Sequence, residues 1–290
     1  MLARMPAPTL LPLDSVAQRL KRGLASEVRA VFHDQQRRET PVQRSADAMF
    51  SPDSVLWRVH GDVTTMMVGG VASLLLQMLH PAVLAGVWDH SNFRKDMVGR
   101  LRRTARFIAM TSYASRTEAE AAIARVRRVH DHIQGTLPDG TPYRANDPRL
   151  LAWVHVTESL SFLDGWIRYA EPRMSVADQD RYFAEIARIG SALGADPVPS
   201  SRAEAEALIA EMRPALRVDE RTREVARIVL NQQPRSLATA PVQALTFGAA
   251  VDLLPDWARR MHGLPNPLVA RPLLRAGTAG VARTLRWAFS

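Results

Sequence analysis

The sequence predicts an all-α protein, and three observations predict it. Apolar residues recur at helical spacing over long segments. Alternating runs of Val, Ile or Thr bounded by turn residues, the mark of half-buried strands, are nearly absent. With 290 residues, 47% of them hydrophobic, the chain can bury a sizeable helical core.

The elements follow in order. Ser15 to about Asp34 reads as an amphipathic helix, with Val16, Leu20, Leu24, Val28 and Val31 or Phe32 on one side. Residues 35–52 are polar and loop-like. A helix over Trp57–Met67 leads into the apolar stretch Val68–Val87. That stretch is long enough to span a bilayer, but Gln77 and His80-Pro81 fall at mid-depth, which is costly in lipid. It is read as a core helix that ends or kinks at Pro81. Phe93–Ala114 is helical, with Arg100, Thr104 and Phe107 or Ile108 on one face. Thr117–Gln134 opens with the capping pattern Thr117-x-x-Glu120 and stops at Gly135. Leu137–Pro148 is dense in turn residues and reads as a loop. Further helices cover Arg149–Tyr169, Ser175–Leu193, Arg202–Arg213, Glu220–Leu230, Pro241–Leu253 and Pro267–Trp287. No repeat or linker interrupts them, so residues 1–290 are expected to form a single domain.

Composition excludes several classes of function. The chain has no cysteine, which rules out disulfides, iron–sulfur clusters and thiolate-bound zinc or haem. The formal charge is +9, and all but two of the 38 basic residues are arginine. They are scattered among 29 acids without the clustered cations and aromatic or Gly-rich interleaving of a nucleic-acid binder. No nucleic-acid partner is therefore expected. A basic face that touches anionic lipid stays open. No cationic start leads into an apolar run with a small-residue cleavage site, so the expected location is cytoplasmic, with peripheral membrane contact left open.

The most informative residue is His130. Ile123, Val126 and Ile133 lie seven and four residues before it and three after it, so all four share one helical face. An imidazole on an apolar face needs a hydrogen bond, a carboxylate or a metal. Upstream, Arg100 and Thr104 are four residues apart and share a face. His155 lies on an apolar face with Leu151 and Phe162, and Glu158, three residues on, is placed to orient it. Gln77 and His80 form another polar pair within an apolar helix. His132 points away from His130 and is expected to be exposed. His33, His60, His90 and His262 are given no metal role; hydrogen bonding in packing accounts for His60 and His90. Several buried polar groups in one helical core suggest a shared purpose.

An ordered set of motifs now resembles a known family. It runs Trp57-Arg-Val-His-Gly-Asp62, Gly69-Gly70, Leu74-Leu-Leu-Gln77, His80-Pro81, His90-Ser91-x-Phe93, Arg100-Leu-x-x-Thr104, Val129-His130-x-x-Ile-x-Gly135, Tyr143-x-Ala-x-Asp-Pro148 and Trp153-Val-His155. Its order and spacing over roughly residues 50–260 resemble the mpaB-type oxygenases, a family that includes the catalytic domain of bacterial rubber oxygenases. The resemblance implies a globin-like helical core binding haem b, with His130 as the axial ligand to iron and Arg100 and Thr104 beside the haem. It implies oxygen-dependent cleavage of a carbon–carbon double bond in an apolar isoprenoid. Arg103 stands where rubber oxygenases have a lysine able to occupy the distal iron site. Arginine stays protonated and cannot do so as a free amine. The carboxylate base of the rubber-cleaving members has no clear counterpart, and Asp89 is not assigned that role. The expected partners are therefore O2 and a small isoprenoid or other apolar lipid rather than rubber. Two other readings stay open: the same pocket binding haem or lipid without turnover, and a non-haem metal held by His130, His155 and Glu158. Against the second, the chain has no His-Glu-x-x-His and no Glu-x-x-His pairs of the di-iron kind.

Overall fold

A computed structural model describes residues 18, 21, 40–234, 236–237, 239–266 and 270–289. Among them, the chain forms α1 (Val55–His60), α2 (Val63–Gln77), α3 (Pro81–His90), α4 (Met97–Tyr113) and α5 (Arg116–His130). A hairpin of β1 (Gln134–Thr136) and β2 (Pro142–Arg144) follows. Then come α6 (Pro148–Tyr169), α7 (Val176–Leu193), α8 (Arg202–Met212), α9 (Glu220–Leu230), α10 (Ala240–Leu253), α11 (Asp256–Met261) and α12 (Arg271–Phe289). The all-α class holds. Of the helix read over Ser15–Asp34 only residues 18 and 21 are described, both helical, and the Pro267 start of the last helix lies outside the described residues.

Local chemistry sets most helix starts. Ser54, Asp62, Asp96, Ser115, Asp147, Ser175, Ser201 and Asp219 each accept a backbone N–H of the first turn, satisfying donors that have no partner within the helix. Pro81 occupies the first turn of α3, where a missing N–H costs nothing. The apolar stretch therefore breaks as expected, and α2 and α3 are bent by 104°. Among the described residues no single helix is long and apolar enough to cross a membrane.

Four boundaries differ from the sequence reading. Trp57–Met67 is not one helix: Gly61 closes α1 and Asp62 caps α2. The capping box of α5 is Ser115 with Glu118, two residues earlier than read, because both Ser115 and Glu118 complete the reciprocal bonds. That helix ends at His130, so Ile133 lies beyond it. Gly135 is not a helix stop but a strand residue opposite Tyr143. A Cβ there would fall 2.7 Å from the Tyr143 hydroxyl, so only glycine lets the ring lie across the hairpin. The supposed loop 137–148 contains β2, and the short helix α11 gave no periodic signal of its own.

The centre of the fold is the crossing of α2 and α6. A Cβ on Gly69 would lie 2.7 Å from the Ser161 carbonyl oxygen and 3.0 Å from the Phe162 Cα. The two backbones approach that closely because no side chain separates them. Val68, Leu75, Trp153, Val156 and Leu163 are fully enclosed around this crossing. α10 and α12 cover α2, while α7 and α8 cover α6. α4 and α5 pair with each other and rest on α1 and α7 respectively, with no extended backbone packing of either on α6.

Candidate functional site

The joint between α4 and α5 is at Ala114–Ser115. Arg100 and His130 each stand about four turns from that joint, so they occupy the same, remote end of the pair. α6 contributes Glu158 and α2 contributes Gln77, whose Nε2 donates to Glu158 Oε1 at 3.4 Å. The Arg100 cation acts on the titration of both His130 and Glu158. No hydrogen bond or ion pair joins these three: Arg100 Nη1 donates to Ser91 Oγ at 3.2 Å instead, and His130 Nδ1 is buried without a well-formed hydrogen bond, the Asn146 side chain lying beside it.

Glu158 is ringed by protein, and burial raises its carboxyl to about 7 even though the Gln77 bond and the Arg100 charge pull it down. Its side chain nevertheless keeps partial solvent access. Half-buried Leu101, Phe107 and Ile108 of α4 add apolar surface that the core does not fully cover.

Burial and the Arg100 cation hold His130 below the usual histidine range, against opposing pulls from Asp131 and the Asn146 side chain. The neutral imidazole, the form that ligates metals, is thereby favoured. Asn146 is a neighbour the sequence reading missed. Its Nδ2 donates to the Arg127 carbonyl at 3.3 Å and to Asp131 Oδ1. It reaches the end of α5 only because the hairpin folds back, so no helical spacing could have revealed it.

The other predicted residues are placed differently. Thr104 is exposed and donates to the Arg100 carbonyl at 3.3 Å. Arg103 is exposed and pairs with Asp96, the cap of α4, at 3.3 Å. His155 is buried against α7, where a Cβ on Gly190 would meet its ring at 2.9 Å. Burial pushes His155 down to about 4, and its Nε2 has no hydrogen-bond partner. Glu158 does not orient that nitrogen; it takes Gln77 instead. His80 caps α3 through its backbone and its Nδ1 is also unpartnered. Among the described residues no three His, Asp or Glu side chains converge to hold a metal ion.

The remaining described histidines serve packing, and His33 lies outside the described residues. His60 bonds Ser112 Oγ at 2.8 Å and the Tyr182 hydroxyl at 3.1 Å, and burial pushes it down to about 3. His90 Nε2 meets the Gln134 carbonyl at 3.1 Å. His262 Nε2 meets the Leu75 carbonyl at 2.9 Å. His132 is exposed, as read, with Nδ1 on the Arg128 carbonyl at 2.8 Å.

Two surface depressions lie away from Arg100 and Glu158. One of about 460 Å³ is lined by His90, Arg125, Arg128, Val129, His132 and Ile133. The other, of about 260 Å³, lies over Arg44, Asp53, Trp57 and Arg58. The internal polar cluster, not these hollows, is the better candidate for chemistry, because only it combines unpartnered buried groups with shifted protonation. Residues 57–287 match the model of a family described as ER-bound oxygenase mpaB/B'/Rubber oxygenase, catalytic domain. No curated protein and no solved structure matches the chain.

Proposed function

From the premise that the chain belongs to the mpaB/rubber oxygenase catalytic-domain family, we propose that it is a haem b-dependent oxygenase cleaving a carbon–carbon double bond of an apolar, isoprenoid or lipid-like substrate. The observation that carries this reading is the end of the α4–α5 pair, where burial and the Arg100 cation favour the neutral His130 imidazole that ligates iron, and where the same cation acts on Glu158. A metal ion that depends on protein for all its ligands finds no cluster among the described residues. Haem needs as little as one imidazole from the protein, which His130 would supply.

His130 would hold the haem, and Arg100 and Thr104 would lie beside it. When bound, the haem supplies the reaction with dioxygen, which no side chain here can perform. The chain's own residues do the rest. Arg100 offers a permanent cation to negative charge that develops during the reaction. The Thr104 hydroxyl, now turned to its own helix, can rotate to donate elsewhere. Near neutral pH the Glu158 carboxyl is divided between its two protonation states, so its Oε atoms can accept a proton and return it. Leu101, Phe107 and Ile108 give an apolar substrate surface to cover and so exclude water.

The test is an optical spectrum and iron count of protein purified with added haem precursor, for the wild type and His130→Ala. The wild type is expected to show a Soret band with stoichiometric haem. The variant is expected to lose both and keep its helical circular dichroism. Stoichiometric haem in His130→Ala sinks the ligand assignment, and no Soret band in titrated wild type sinks the haem reading. Oxygen uptake with an apolar alkene then separates an oxygenase from a protein that only binds haem.

A further inference from the structure

The chain's basic surplus is concentrated in one pair of helices. Residues 97–130, which form α4 and α5, carry eight arginines and two glutamates. That surplus of six accounts for most of the formal +9 of the whole chain. Arg125, Arg128 and Val129 share one face at the end of α5, and His132, in the turn just beyond it, borders the same depression. All four are exposed, Val129 to 53%. Arg125 and Arg128 have no hydrogen-bond or ion-pair partner among the described residues, whereas Arg127 beside them donates to the Ala192 carbonyl. The same face lines the depression of about 460 Å³ described above. Ile133 forms part of its apolar floor by packing near Gly86 of α3.

We propose that this face is a docking surface for an anionic lipid bilayer. Val129 and the depression would meet the acyl boundary, and Arg125, Arg128 and His132 the headgroup phosphates and carboxylates. An apolar centre within a cationic rim is the chemistry of an interfacial helix. A nucleic-acid backbone would use the cations but gain nothing from Val129, and no Phe, Tyr or Trp lines the depression as a stacking platform for bases. The surface does not depend on the haem reading. If that reading holds, it brings the open end of the α4–α5 pair, where His130 follows Val129, against the phase in which an apolar substrate dissolves.

The experiment is co-sedimentation of the full chain with phosphatidylcholine vesicles, with and without phosphatidylserine, at low and high salt. Binding is expected only with phosphatidylserine and is expected to weaken with salt. Arg125→Glu with Arg128→Glu should lower the partition coefficient about thirtyfold or more, each cation being worth about fivefold at such a surface. Val129→Ser should weaken binding less and leave the salt dependence unchanged. Arg173→Glu with Arg223→Glu removes the same charge from exposed positions elsewhere and should cost far less. Equal losses from the two double variants would mean that net charge, not this face, is sensed, and would overturn the proposal. So would wild-type indifference to phosphatidylserine, or equally strong binding to duplex DNA abolished by the same pair. Circular dichroism of each variant confirms the fold, since every substituted side chain is on the surface.

Discussion

Glu158→Gln is the sharpest single perturbation of this protein, because it changes one protonation equilibrium and almost no volume. The carboxyl is raised from an ordinary 4.5 to about 7 by burial. A shift of about 2.5 units is worth at most about 3.4 kcal/mol between its two protonation states. Glu158 is partly exposed, which admits some screening, so about 1–3 kcal/mol is the working figure. The sign follows from proton binding. Between 4.5 and about 7 the folded protein holds a proton at Glu158 that the unfolded chain has released, so the folded state loses stability as pH rises through that window. Below 4.5 both states are protonated and the carboxyl carries no penalty. The amide of glutamine does not ionise and can keep the contact with Gln77. The variant should therefore match the wild type at acid pH and exceed it by about 1–3 kcal/mol on the alkaline side of the window. Urea unfolding of the haem-free proteins across that pH range reads the difference directly. A gap that stays constant with pH, or that widens on acidification, would refute the assignment of a buried, raised carboxyl.

Gly69→Ala should cost about 1–3 kcal/mol in urea unfolding, because the new methyl meets backbone atoms of Ser161 and Phe162 that cannot rotate away. No loss would mean that the α2–α6 crossing is looser than described. Asp252 is buried, and although burial alone would raise its carboxyl, Arg275, Arg168 and Arg271 outweigh this and lower it. Asp252→Asn should cost about 2–3 kcal/mol at neutral pH, since it strips three cations of their common carboxylate. The deficit should shrink as pH falls and the wild-type carboxylate is protonated; a deficit independent of pH would locate the loss in packing. Thr104→Ala should retain haem in the proposed holoprotein and change its rate of autoxidation by tenfold or more, as loss of one positioned donor does. Unaltered autoxidation and turnover would remove Thr104 from the site.

Much of this protein was legible in its sequence. α9 was read to the residue, and α6, α7 and α8 to within one, because cap, apolar period and stop agree within each segment. The break at Pro81 needed only the missing N–H of proline. The sequence also picked out Arg100, Thr104, His130, His155 and Glu158, because polar residues on apolar helical faces violate a local rule. It could not decide how they combine. His155 and Glu158 are three residues apart, yet Glu158 takes Gln77 from α2 while His155 turns to Gly190 of α7. Arg103 adjoins Thr104, yet it pairs with the cap of its own helix. Asn146 and the hairpin stayed hidden because strands this short, set by a tyrosine lying across a glycine, have no period to detect. The physical reason is the range of the interactions. Helix formation and capping are settled within about four residues of chain, and the sequence by itself determined them. Which faces meet, which buried groups are left without partners, and which arginines are paired depend on contacts between segments far apart in the chain, and only the tertiary structure decided those.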